Sequence, residues 1–184
     1  MLKSDDSLKK YFKAICPALT VSLIFLAILF GKGIFPFGDE TIDYYDMGQI
    51  NAPLYYHAWD VLHGKASLFF DWYINEGQNI AMAASNQWNL SPFILFFIFV
   101  PRVYLMRFLS LYIGLHLVGL TVAMQYFLYK MTPGTAWYYR ATFAAGYGLC
   151  GYTLTHYTTP TFLDTAVFVP LLMLMLFRLL KYGY

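Results

Sequence analysis

Ser91-Pro92-Phe93-Ile94-Leu95-Phe96-Phe97-Ile98-Phe99-Val100-Pro101 is apolar throughout between its two prolines. How this run meets a lipid bilayer decides the topology of the chain. A helix needs roughly 20 apolar residues to cross about 30 Å of hydrocarbon, and the run offers about half of that. Proline bounds it at both ends, because it lacks an amide N–H and disfavours helical backbone in the residue before it.

Longer apolar stretches lie on either side. Ala14 to Phe30 is a first crossing, Val103 to Tyr129 a second, and Thr165 to Leu180 with its flanks a third. Between the last two, Ala141 to His156 is marginal in length and rich in Gly and Thr, residues that suit close helix packing in lipid. About four spans are expected. Lys3, Lys9, Lys10 and Lys13 precede the first, and no small-residue cleavage site follows it in Gly31-Lys32-Gly33-Ile34-Phe35-Pro36. A retained anchor with a cytoplasmic N-terminal tail over residues 1–13 is expected.

Charge decides between the two courses open to the proline-bounded run. If residues 90–101 dip in and return, eight of the 12 Lys and Arg residues fall on the cytoplasmic side and four outside; if the run crosses, the split is six to six. Cytoplasmic flanks accumulate Lys and Arg, so a re-entrant or interfacial segment is expected. Only that topology sets Asp46 and Asp164 on one face of the membrane.

Composition agrees with a membrane protein. Of 184 residues, 59% are hydrophobic, 21% aromatic and only 12% charged, with a formal net charge of +2. A soluble domain carries about 25% charged residues. The mean hydropathy of +0.51 excludes a disordered chain, and so small a positive charge argues against a nucleic-acid partner. Cys16 and Cys150 both lie in apolar runs, expected at different depths, so no disulfide scaffold is available.

Residues 31–89 differ from the rest. Seven of the ten acidic residues gather here: Asp39, Glu40, Asp43, Asp46, Asp60, Asp71 and Glu76. Ala52 to His63 reads as a short amphipathic helix, with Asn51 as N-cap, Pro53 in its first turn and Gly64 as its stop. Leu54, Ala58, Val61 and Leu62 mark one side, and His57, Asp60 and His63 the other. It is expected to lie along the outer leaflet with Tyr55, Tyr56 and Trp59 at headgroup depth. A second short helix is weakly signalled over Gln78 to Ala84.

The ordered blocks from Phe35 onward resemble the bacterial YfhO membrane-protein family, of the GT-C class of glycosyltransferases. They are Phe37-Gly38-Asp39, Asp43-Tyr44-Tyr45-Asp46-Met47-Gly48-Gln49, Trp72 to Gly77, Leu90-Ser91-Pro92-Phe93, Ala144 to Tyr152, and Phe162-Leu163-Asp164 before Pro170-Leu171-Leu172. The pattern departs before Asp164, where an Asn of the family is absent from Thr159-Pro160-Thr161-Phe162-Leu163. The resemblance implies an all-α integral membrane protein whose residues 14–184 form a GT-C-like N-terminal module. It comprises a first span at 14–30, an extracytoplasmic loop at 31–89, the segment at 90–101 and the remaining spans from 102. It also implies a fragment of a longer chain in a bacterial cell membrane.

The chemistry implied is transfer of a sugar from a polyprenyl-phosphate carrier to a glycan or lipid acceptor outside the cytoplasm. An acceptor hydroxyl loses its proton as it attacks the anomeric carbon, which calls for a carboxylate within reach. The phosphate leaving group calls for a cation to steady its charge. Asp46 is the expected base, matching the family's Asp before Gly-Gln. Asp43 comes second, on the same helical face if the segment is helical, and Asp164 third, with capping of the last span as its bland role. Arg102 and Arg107 are the expected phosphate cations, with snorkelling to the headgroups as the alternative. Gln49 and His156 are further substrate-binding candidates. No metal site is assigned, although Asp39 and Glu40 leave room for a divalent cation and a turn explains them as readily. His57 and His63 are expected on a polar face, and His116 packed against a neighbouring helix. A non-catalytic transport or assembly subunit, or an inactive truncated relative, is the competing expectation.

Overall fold

The computed structural model describes residues 3–72, 77–79 and 91–183, and side chains outside 3–10 and 78–79. It is mostly helical. In chain order come α1 (Lys3–Lys32), a π-helical turn (Met47–Asn51), α2 (Ala52–Leu62), strands β1 (Phe70–Asp71) and β2 (Gln78–Asn79), a 3-10 helix (Pro92–Phe99), a short 3-10 turn (Arg102–Tyr104), α3 (Leu105–Met131), α4 (Trp137–Gly148), α5 (Gly151–His156) and α6 (Pro160–Tyr182). Two compact units divide the chain: Met1–Ile28 with Gly114–Tyr157 and Phe162–Tyr184, and Leu29–Ile113 with Thr158–Thr161.

Three described helices are long and apolar enough to cross a membrane: Tyr11–Lys32, Arg102–Met131 and Pro160–Tyr182, of 22, 30 and 23 residues. At about 1.5 Å rise per residue, each exceeds roughly 30 Å. They leave large apolar side chains such as Leu23, Phe30 and Leu180 exposed. In water that surface would aggregate, and in lipid it is the contact surface.

The segment expected as a continuous fourth crossing, Ala141 to His156, is instead broken. α4 ends at Gly148 and α5 begins at Gly151, with Cys150 between them in extended backbone at φ −71°, ψ 166°. Gly at 146, 148 and 151 weakens helical continuity by about 1 kcal/mol per residue. Gly148 also has a packing role as expected. A Cβ there would come within 2.2 Å of Thr121 Oγ1 on α3, so only glycine lets the two backbones approach this closely.

Both prolines inside spanning helices are compensated across the first unit. Pro17 cannot donate to the Lys13 carbonyl, four residues back, and Gln125 Nε2 of α3 donates to it instead at 3.4 Å. Pro170 frees the Ala166 carbonyl, which accepts the Tyr147 hydroxyl of α4 at 2.7 Å. In hydrocarbon no water can satisfy such a carbonyl, so a neighbouring helix must. Tyr147→Phe is expected to cost about 1–3 kcal/mol, read as a lower melting temperature in detergent, with Tyr138→Phe as an exposed control.

The second unit holds the proline-bounded run. Ser91 caps the 3-10 helix, its hydroxyl oxygen accepting the Phe93 N–H at 3.3 Å, and Pro92 fills the first position, where no donor is needed. Burial then repeats every three residues: Ser91, Ile94, Phe97 and Val100 are buried, while Leu95 and Ile98 are exposed. That is the period of a 3-10 helix, and its eight residues span about 16 Å. Phe97 packs on Tyr55 and Tyr112, with ring centroids 5.4 and 4.7 Å away, and Trp59 Nε1 donates to the Val100 carbonyl at 2.6 Å.

Helix α2 forms almost where expected and ends ahead of Gly64, but one expectation about it is corrected. Asn51 is not its N-cap, because helical backbone already runs through the π-helical turn and Asn51 makes no capping bond. Tyr55 and Trp59 are buried against the 3-10 helix, and Tyr56 is half-exposed. Gln78–Asn79 pairs with Phe70–Asp71 as an antiparallel ladder rather than opening a helix. The rest of that expected helix lies outside the described residues. Cys16 and Cys150 are free thiols.

Candidate functional site

The acidic loop is built on short-range backbone bonds in the second unit. Glu40 N–H donates to the Gly33 carbonyl and Phe35 N–H to the Glu40 carbonyl, at 3.2 and 3.1 Å, closing the turn that carries Asp39 and Glu40. Ser110 of α3 ties this turn down, its hydroxyl donating to the Phe35 carbonyl at 2.8 Å. Asp39, Glu40, Asp43 and Asp46 are all exposed.

Asp46 stands where extended chain becomes helix. Tyr45 before it adopts φ +52°, a left-handed conformation uncommon for tyrosine. Met47 after it is fully buried, and anchors the chain. The buried Asn51 side chain donates to the Asp46 carbonyl at 3.1 Å and to the Thr158 carbonyl at 2.9 Å, using its amide hydrogens to fix the backbone beneath the acid. The outcome is an exposed carboxylate on a pinned backbone. Asp43 precedes the helix, so the shared helical face expected for Asp43 and Asp46 does not form.

Gly48 closes the same loop. A Cβ there would lie 2.4 Å from the Asp43 carbonyl oxygen, so Gly48→Ala must push the Asp43 backbone aside. A loss of about 1–3 kcal/mol is expected, as for other overpacked sites. Faster proteolysis between residues 40 and 50 is the expected readout, and unchanged digestion would contradict the contact.

The two arginines differ. Arg102 is fully engaged: Nε and Nη2 each donate to one oxygen of Asp60 at 2.9 Å, and the guanidinium lies 5.0 Å from the Tyr56 ring centroid. Arg107 pairs with Asp39 at 3.1 Å among the described residues, and that carboxylate is 89% exposed. A pair so open to solvent is worth about 0–1 kcal/mol, so a phosphate can displace it far more readily than Asp60 at Arg102.

Two histidines that read as bland are buried beside carboxylates. His57 faces inward from α2 and pairs through Nδ1 with Asp71 of β1, which corrects its placement on the polar face. His63 does lie on the exposed side, stacked on Trp59 with ring centroids 3.7 Å apart. In the first unit, His116 Nε2 lies 3.1 Å from Asp164 Oδ1, with His116 wholly buried. Asp164 is therefore not the expected cap. Helix α6 starts at Pro160, one turn earlier, and the carboxylate faces inward. The available signal was an ionisable residue in an apolar span, an unusual feature that calls for a partner.

His156 packs between the rings of Tyr152 and Phe162, at 4.5 and 5.2 Å, and Gln49 is exposed beside Asp46 in sequence. Asp46 and Asp164 belong to different units. Among the described residues no group of three or more His, Cys, Asp or Glu side chains is placed to hold a metal.

Spanning-length apolar helices, carbonyls capped between helices and a buried ionisable pair define a helical membrane protein. The family model for the bacterial membrane protein YfhO matches residues 18–183, and the chain belongs to that family. No curated protein and no solved structure matches it.

Proposed function

We propose that the protein is a GT-C-type membrane glycosyltransferase that passes a sugar from a polyprenyl-phosphate carrier to an extracytoplasmic glycan or lipid acceptor. In this reading the N-terminus is cytoplasmic and residues 31–89 face outward. The 3-10 segment, about half a bilayer long, dips in and returns. The broken α4–α5 pair supplies a fourth, discontinuous crossing.

One observation carries the proposal: Asp46 is an exposed carboxylate at the start of a π-helical turn, with its backbone fixed by buried Asn51. π-Helical turns occur frequently at functional sites. Asp46 takes the acceptor's proton as its hydroxyl oxygen attacks the anomeric carbon, and the bond to the carrier phosphate breaks. Arg107 exchanges Asp39 for the phosphate as its charge grows. Asp43 and Gln49 complete the acceptor side.

The test is release of polyprenyl phosphate from labelled polyprenyl-phosphate sugars by membranes carrying the intact protein. Protein-dependent release with acceptor glycosylation is expected, and release equal to that of membranes lacking the protein would overturn the proposal. Arg107→Gln is expected to lower kcat/KM for the donor about tenfold, matching the loss of one charge-assisted hydrogen bond, and an unchanged kcat/KM would remove Arg107.

The buried His116–Asp164 pair favours a second reading, a transport or assembly subunit, since paired ionisable groups in spans often line proton or substrate paths. Proton-coupled solute uptake that is abolished by Asp164→Asn, with no sugar transfer, would select it.

A further inference from the structure

The lysine- and arginine-rich end of the first unit holds a cavity of about 430 Å³ whose lining includes Lys13, Gln125, Tyr126, Tyr129, Trp137 and Arg140. We propose that this cavity binds the headgroup of an anionic phospholipid, a phosphodiester bearing a hydroxylated head such as phosphatidylglycerol.

Charge is the first argument. Two cations and no carboxylate line the cavity, and the Lys130 ammonium stands 5.5 Å from the ring centroids of both Tyr126 and Tyr129. Arg140 is held rather than splayed into solvent. Its Nη1 donates to the Thr132 carbonyl at 3.0 Å, and its guanidinium lies 5.6 Å from the Tyr129 ring centroid.

Unmet hydrogen bonding is the second argument. Arg140 Nε and Gln125 Oε1 are both buried without a hydrogen-bond partner among the described residues. The Gln125 assignment follows from chemistry: the Lys13 carbonyl, freed by Pro17, only accepts, so the amide nitrogen must face it and the oxygen points elsewhere. Both residues line the cavity, and a small side-chain rotation toward a bound ligand would present a charged donor to a phosphate oxygen and a neutral acceptor to a hydroxyl. Buried polar atoms left unpaired are costly, and one ligand with both groups would satisfy the two together.

Depth is the third argument. Tyr126, Tyr129 and Trp137 are the ring types that gather at headgroup level, and α1 and α3 run from this end as apolar helices of spanning length. A lipid whose chains follow those helices fits better than a soluble phosphate, and basic pockets between membrane helices are known lipid-headgroup sites.

The intact protein, purified in mild detergent, is to be mixed with phosphatidylglycerol or with phosphatidylcholine and examined by native mass spectrometry. The expected result is selective retention of phosphatidylglycerol, reduced about tenfold in Arg140→Gln. Lys13→Gln alters an exposed side chain, and should reduce retention with an unchanged melting temperature in lipid-free detergent, so the test survives misfolding of the first variant. Equal retention of the two lipids, wild-type retention in both variants, or displacement of the lipid by excess inorganic phosphate would each overturn the proposal. Transfer activity does not enter, so its outcome is separate from the proposed chemistry.

Discussion

Asp46→Asn is expected to lower sugar transfer by about 100- to 10,000-fold, the usual worth of a general base. The substitution keeps the side chain's size and removes its ability to accept a proton. Because the carboxylate is exposed, and it is the Asp46 carbonyl that holds Asn51, the fold should be untouched. The loss should therefore fall on kcat, with the donor KM nearly unchanged. Asp43→Asn, in the same loop but off the helix, is expected to cost far less. Undiminished transfer in Asp46→Asn would remove it from the mechanism, and equal losses in the two variants would shift the role to the loop's charge as a whole.

The largest stability effect is expected at the pair joining α3 to α6. His116→Leu or Asp164→Leu leaves the other member buried without its counterpart, at a cost of about 3–5 kcal/mol. Replacing both with apolar residues, as in His116→Leu with Asp164→Leu, should recover much of that loss, since a buried pair is often worth little more than apolar packing of similar volume. Melting in detergent of the two single variants and the double variant closes the cycle. Additive losses would show that the 3.1 Å contact is incidental.

These two effects also show what was legible in the sequence. Three apolar runs and the scarcity of charge identified the membrane helices, because bilayer thickness dictates their length and composition. The run from Ser91 to Pro101 was legible in length but not in facing. Every residue between its prolines is apolar, so no periodicity revealed that Ile94 and Phe97 turn inward. The fourth segment was half legible. Its Gly and Thr content points to close helix packing but not to the break, and the close approach at Thr121 exists only once the helices pack.

At the candidate site, motif order points to Asp46, whereas the atoms that pin its backbone leave no local mark in the sequence. Asn51 read as a cap because Ala-Pro follows it. The π-helical turn begins the helix earlier and leaves the amide free to bind the carbonyls of residues 46 and 158. Asp164 was misread for a similar reason, since helix α6 starts one turn ahead of the acid. The pairing of His57 and His116 leaves no local mark in the sequence, because their carboxylate partners are 14 and 48 residues away along the chain. Contacts that distant are fixed by tertiary packing, not by local pattern.

The proposed chemistry needs the Asp43–Asp46 loop to face away from the cytoplasm, where lipid-borne sugars meet their acceptors. Membrane-impermeant maleimide labelling of intact cells tests this directly, using Asp43→Cys and Thr135→Cys in a background with Cys16 and Cys150 replaced by serine. Both positions are exposed, the first in the acidic loop and the second between α3 and α4. Asp43→Cys should label in intact cells, and Thr135→Cys only after permeabilisation. The reverse pattern would place the carboxylates on the wrong side of the membrane for the reaction assigned to them.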